Sequence, residues 1–163
     1  MRHVATLKYD QQLVSRAVLS FWLRAMGWKT FAGVAAVVAL LAVRLAMGDR
    51  SWIVGLLGGV ALLGVAMPVA VYWTHYRNSM TKLRDLGNPV ATLLAEDNSF
   101  TLSSDAGASI LKWSAVAELW RFDTFWLFLF SKAHYATIPL EGMSAEMQSY
   151  VVERVRDAGG SVH

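Results

Sequence analysis

The stretch Trp52-Ile-Val-Gly-Leu-Leu-Gly-Gly-Val-Ala-Leu-Leu-Gly-Val-Ala-Met-Pro-Val-Ala-Val-Tyr-Trp73 contains no charged side chain. As a helix it would be about 33 Å long, enough to cross the hydrocarbon of a bilayer. A second apolar stretch, Phe31 to Met47, precedes it, and only Gly48, Asp49, Arg50 and Ser51 lie between. The pair reads as a hairpin of two membrane-spanning helices. Everything else in the 163-residue chain falls into two flanks.

Composition agrees with this reading. Hydrophobic residues make up 55% of the chain and the mean hydropathy is +0.38, above the range of ordinary soluble domains. The seven Trp, seven Phe and five Tyr suit membrane interfaces and the cores of small β domains. The absence of cysteine excludes disulfides, thiolate nucleophiles and Cys-based metal sites.

The expected spans are about 28–47 and 52–74, within a hairpin region 28–76. Arg44 is the one ionisable residue in the apolar stretch Phe31 to Met47, and only Leu45, Ala46 and Met47 separate it from the Gly48 turn. Its long stem can carry the guanidinium to the headgroups, so it reads as an anchor. Trp28, Trp52, Tyr72, Trp73 and Arg77 are the other expected interface anchors. Arg16, Arg24 and Lys29 before the hairpin, and Arg77, Lys82 and Arg84 after it, place both termini in the cytoplasm. The Ala46-Met47-Gly48 sequence faintly resembles a leader cleavage site, but a full apolar span follows at once. Gly55 and Gly59 form a small-residue face for helix packing, and Pro68 should bend the second helix.

In the flanks, His3 to Tyr9 alternates like a strand and Asp10 suits an N-cap. Residues 11–26 carry Leu13, Val14, Ala17, Val18, Phe21, Trp22 and Ala25 at helical spacing. Three placements fit this amphipathic helix: on the inner leaflet, against the cytoplasmic domain, or continuous with the first span. Residues 1–27 are therefore read as an N-terminal strand and helix. Residues 77–88 read as a juxtamembrane linker that keeps some helical character, with Met80, Leu83 and Leu86 three apart, ended by Gly87-Asn88-Pro89. Residues 89–163 read as short strands separated by turns, a compact antiparallel sheet, then a helix capped by Ser144 and stopped by Gly159-Gly160. The fold class is α+β, with a small cytoplasmic β domain of pleckstrin-homology-like layout capped by its last helix. Phe125 to Phe130 is apolar on both faces of a strand, which suits a central, covered strand. The functional alternative makes Trp120 and Trp126 a surface for a partner.

Asp105 with Gly107, Trp113 with Val116, and Ile138-Pro139 align with a known pattern, and the whole layout resembles the bacterial YcxB-like family. The resemblance implies an inner-membrane protein with a cytoplasmic pleckstrin-homology-like domain, of a family whose function is uncharacterised. It implies no site residue.

The sequence offers no catalytic, cofactor or metal constellation. His3, His75, His134 and His163 lack ligand spacing, and no phosphate loop, dinucleotide fingerprint or nucleophile elbow occurs. Lys112, Arg121, Lys132, Arg154 and Arg156 are offset by acids, so no basic stripe for nucleic acid forms. The expectation is a non-enzymatic recruitment module whose partners are the lipid bilayer and an unidentified protein or lipid. A homo-oligomeric assembly protein is the alternative, and a small pore or transporter subunit fits less well.

Overall fold

A computed structural model describes residues 2–85, 87–132 and 134–163. Its elements are β1 (His3–Lys8), α1 (Gln11–Ala46), α2 (Trp52–Asp85), β2 (Val90–Ala95), β3 (Ser99–Ser104), β4 (Gly107–Lys112), β5 (Glu118–Arg121), β6 (Phe125–Leu129), β7 (Tyr135–Pro139), α3 (Ala145–Asp157) and β8 (Ser161–Val162). A short 3₁₀ turn, Trp113–Ala115, links β4 to β5. The fold is thus mixed α+β, with two long apolar helices, two small sheets and a late helix.

The chain divides into two compact units, Met1–Ala17 with Ser79–His163, and Val18–Asn78. This division cuts across the linear boundaries expected from the sequence. The reason is β1, which pairs antiparallel with β2 from His3↔Ala95 to Lys8↔Val90. The ladder is prolonged by the Tyr9 N–H, which donates to the Pro89 carbonyl at 2.9 Å. Residues on either side of the helical hairpin therefore belong to one sheet, and the hairpin is an insertion in a single β domain.

The single antiparallel sheet expected from the turns is in fact two. One has the order β1-β2-β3-β4 and the other β7-β6-β5-β8. The second includes a parallel edge, β8 on β5, too short to show any alternation in the sequence. Inner-facing Ala5, Leu7, Leu93, Ala95 and Phe100 of the first sheet share a core with Leu119, Trp126, Phe128 and Ile138 of the second and with Met147, Val151 and Val155 of α3. Helix α3 begins as expected. The Ser144 hydroxyl accepts from the Met147 N–H at 3.2 Å, Glu146 lies in the first turn, and Arg154 and Arg156 in the last.

All five residues of β6 are buried, as a central strand covered on both faces requires. Leu13, Val14, Ala17 and Met80, from the helix ends that belong to the same unit, are buried as well. Ser79 there hydrogen bonds the Tyr135 hydroxyl of β7, whose pKa is nonetheless raised because burial dominates. The linker expected at 77–88 is helical as far as Asp85, so α2 is longer than the apolar stretch that announces it. Leu86 lies outside the described residues.

In the other unit, α1 is two helices joined at Gly27, whose φ of 68° and ψ of 153° leave the helical region. Only glycine adopts that geometry without a Cβ penalty. The break falls where the amphipathic segment meets the apolar one. Helix α2 runs on through Pro68.

Candidate functional site

The apolar helices are the first functional surface. Within their most apolar eighteen-residue windows, 0% of α1 and 6% of α2 is buried. Both are long and apolar enough to cross a membrane, and a core helix of a soluble domain would instead be covered. Trp28, Trp52 and Trp73 are exposed, as is Arg77.

The turn between the helices is closed by chemistry the sequence only half announced. The Arg44 guanidinium lies 3.2 Å from an Asp49 carboxylate oxygen, so the cation of the first helix is paired within the turn. The other Asp49 oxygen accepts from the Ser51 N–H at 2.8 Å. Hydrogen bonds from Ser51, backbone first, and then from Arg44 hold the Asp49 carboxyl below its ordinary pKa range. Gly48 takes a positive φ of 74°, and its N–H closes the helix end on the Leu45 carbonyl at 3.0 Å.

The helices meet through a glycine other than the expected pair. A side chain built at Gly55 or Gly59 would touch nothing within 4 Å, whereas one at Gly64 would lie 3.1 Å from a Val34 methyl. The GxxxG spacing was legible, but which face turns inward depends on the partner helix. Gly64→Leu is expected to loosen the hairpin by about 1–3 kcal/mol through overpacking, while Gly59→Leu should leave it unchanged. Thermal unfolding of both variants in detergent would separate the two glycines.

An aromatic cluster forms at the other end of these helices. The Trp22 indole N–H donates to the Pro68 carbonyl at 2.9 Å. Its ring lies 5.4 Å from Phe31 and 5.7 Å from Tyr72, both edge-on. Tyr72 stacks on Tyr76 at 6.0 Å, and Phe21 lies 5.5 Å from His75. Trp22 was visible only as one apolar position of an amphipathic helix. Its role in holding the broken α1 against α2 needed the Gly27 geometry.

In the β domain, Trp120 and Trp126 are 7% and 3% exposed. Neither is a surface residue, which corrects the expectation that they face a partner. Burial of both follows from their position on adjacent strands, with Arg121 opposite Trp126 in the ladder. The Trp120 N–H donates to Glu118 at 2.7 Å, and the Arg121 guanidinium lies 5.7 Å above the Trp126 ring. Between this arginine and α3 runs a groove of about 470 Å³ that includes Gln148, Ser149 and Arg156 in its lining. It presents charges of both signs, since Glu153 and Asp157 also line it and both contact Arg154.

Ser131 and His134 approach to 3.1 Å, but they sit in an exposed turn closed by their own backbone, where the Phe130 N–H donates to the His134 carbonyl at 2.9 Å. A nucleophile needs a base that is itself oriented by a third group. Tyr150 donates to Asp97 at 2.8 Å and packs between His3, at 4.7 Å, and the Arg154 guanidinium, at 5.4 Å. That cluster ties α3 to the β2–β3 turn. Burial pushes the Tyr9 hydroxyl well above the ordinary tyrosine range, and it donates to the Thr137 carbonyl at 2.9 Å. Among the described residues, no three His, Asp or Glu side chains gather to hold a metal.

The aligned residues lie together in this domain. Trp113 is buried, donates its indole N–H to the Glu96 carbonyl at 2.8 Å, and lies 4.8 Å from Phe100. Val116 and Ile138 are buried in the same core, and Gly107 opens β4 with a positive φ. Residues 95–153 match the family model described as YcxB-like protein. The YcxB-like segment runs from the last residue of β2 into α3, and it leaves out β1, both apolar helices and β8. No curated protein and no solved structure matches the chain.

Proposed function

We propose that this protein is a membrane-anchored, non-enzymatic binding module of the bacterial inner membrane. The observation that carries the reading is an unburied apolar hairpin inserted between two paired strands of one β domain. Exposed Trp28, Trp52 and Trp73, with Arg44 paired in the turn and Arg77 at the far end, suit the two interfaces of a bilayer. The pairing of β1 with β2 supports placing both flanks on one side of the membrane, and the Lys and Arg bias supports the cytoplasmic side.

The domain itself is of the pleckstrin-homology-like kind, on the strength of its two small sheets and the helix that covers their common core. Its mechanism is confinement. A domain held within nanometres of the inner leaflet meets a protein or lipid partner at high effective concentration, so a weak interface suffices. A structural, self-assembling membrane protein is the second reading, and the open edge of the first sheet favours it.

The membrane reading is tested by single cysteines in a chain that has none of its own. Ser51→Cys in intact cells should react with a membrane-impermeant thiol reagent, and Ser161→Cys only after the membrane is opened. The protein should also stay with the membrane pellet through an alkaline wash. Release into that wash, or labelling of Ser161→Cys in intact cells, overturns the proposal.

A further inference from the structure

Of the four edge strands, β1 and β7 meet each other, β8 is only two residues long, and β4 is six. β1 and β7 face one another, through the Tyr9 hydroxyl on the Thr137 carbonyl and the close approach of Gly142 to the Thr6 carbonyl. On the remaining side of the second sheet, β5 carries β8, whose Ser161 and His163 N–H groups donate to the Ala117 and Leu119 carbonyls at 3.0 and 2.9 Å. The outer side of β4 has no strand along it among the described residues.

Proteins ordinarily blunt such an edge with proline, a bulge or a charge in the strand. β4 reads Gly-Ala-Ser-Ile-Leu-Lys, holds no proline or acid, and pairs in regular register with β3 from end to end. Its only charge, Lys112, is the terminal residue. Ile110 is 74% exposed, a large β-branched side chain on the outer face of an unpaired edge. It also ends an apolar row, because the register places Val4, Leu94, Thr101 and Ile110 side by side across the sheet. Val4, at the other end, is 61% exposed.

We propose that β4 is the self-association edge of this protein, pairing antiparallel with β4 of a second copy about a two-fold axis through Ile110. Directly opposed residues must face the same side of a continuous sheet, which restricts the allowed registers to those that pair residues of equal parity. Centring the axis on Ile110 sets the two isoleucines against each other, Ser109 against Leu111 and Ala108 against Lys112. No like charges oppose one another, and Lys112 meets a small neutral residue. The apolar row then continues unbroken through both copies. An isologous contact of this kind closes as a dimer and leaves no new edge at the interface. One strand pair buries too little area for a tight complex, so the contact is reversible and strengthened when copies are confined to one surface. The proposal stands on the β domain alone, and its failure would leave the membrane reading untouched.

The absence of native cysteine permits a direct test on the full chain. Ile110→Cys, mildly oxidised in membranes or detergent, should give a disulfide-linked dimer on the order of tenfold more readily than Val4→Cys at the opposite edge, since only the former brings equivalent residues into contact. In the cysteine-free background, Ile110→Lys should weaken self-association by about tenfold, measured by sedimentation, with an unchanged far-UV spectrum, because it opposes two charges at the axis. Equal crosslinking at the two positions, no dimer with Ile110→Cys, or association insensitive to Ile110→Lys would each overturn the proposal. Adducts of Ile110→Cys only to other proteins would assign the edge to a foreign strand and overturn it too.

Discussion

Trp113→Ala is expected to destabilise the β domain by about 3–5 kcal/mol, a large part of the stability of any domain of this size. The indole is buried at the junction of the two sheets, 4.8 Å from Phe100, which in turn meets Phe128 edge-on at 5.5 Å. Truncation removes the end ring of that row and leaves the Glu96 carbonyl without its indole donor. Trp113→Phe separates the two contributions. It keeps most of the volume and loses the hydrogen bond, so it should cost about 1–3 kcal/mol. Thermal unfolding of the full chain measures both, and for a domain near 100 residues the alanine variant should melt more than about 10 °C lower. Equal melting temperatures for the two variants would show that packing around the ring contributes nothing beyond the hydrogen bond.

A fragment comprising residues 89–163 should not fold, although the sequence marks Pro89 as a natural boundary. It lacks β1, and with it the buried Ala5 and Leu7 and six ladder positions with β2. Burial of one leucine is worth about 1.5–3 kcal/mol, and the lost strand also uncovers Leu93 and opens the β2 edge to aggregation. By contrast, a chain in which a two-residue Asn-Gly turn joins Lys8 to Val90 should be soluble and folded. Those residues are ladder partners, so their ends already lie as a hairpin requires. Circular dichroism and dispersion of amide resonances in the two shortened proteins provide the comparison. A well-folded 89–163 fragment would mean that β1 is an accessory strand.

These two expectations mark the limit of what a linear reading provides. The strands of the β domain are legible because each is short, apolar on the proper residues and bounded by Asp, Asn, Gly or Pro. Ser144 announces its helix by the same local chemistry. The pairing of β1 with β2 is not local. Seventy-odd residues of helix intervene, and nothing in His3 to Lys8 specifies which edge it joins.

The surface is subject to the same division. Trp120 and Trp126 are aromatic residues that a sequence alone can assign to a core or to a partner; the fold buries both, Trp126 within the core shared by the two sheets and Trp120 outside that cluster. Ile110 drew no notice in the sequence, since a single isoleucine in a strand is unremarkable. Its meaning arises from lying on an edge along which no further strand pairs among the described residues.

By itself, then, the sequence determined the elements and the environment each prefers. Two apolar stretches long enough for a bilayer, the Gly48 and Gly159-Gly160 breaks, the turns and the caps all follow from backbone sterics, hydrogen-bonding inventory and hydrophobic spacing within a few residues. Only the tertiary structure decided that the hairpin is an insertion in one domain, that Gly64 and not Gly55 or Gly59 takes the close helix contact, and that β4 is left open. Those outcomes depend on which surfaces exclude water together, a property of segments far apart in the chain that local pattern does not encode.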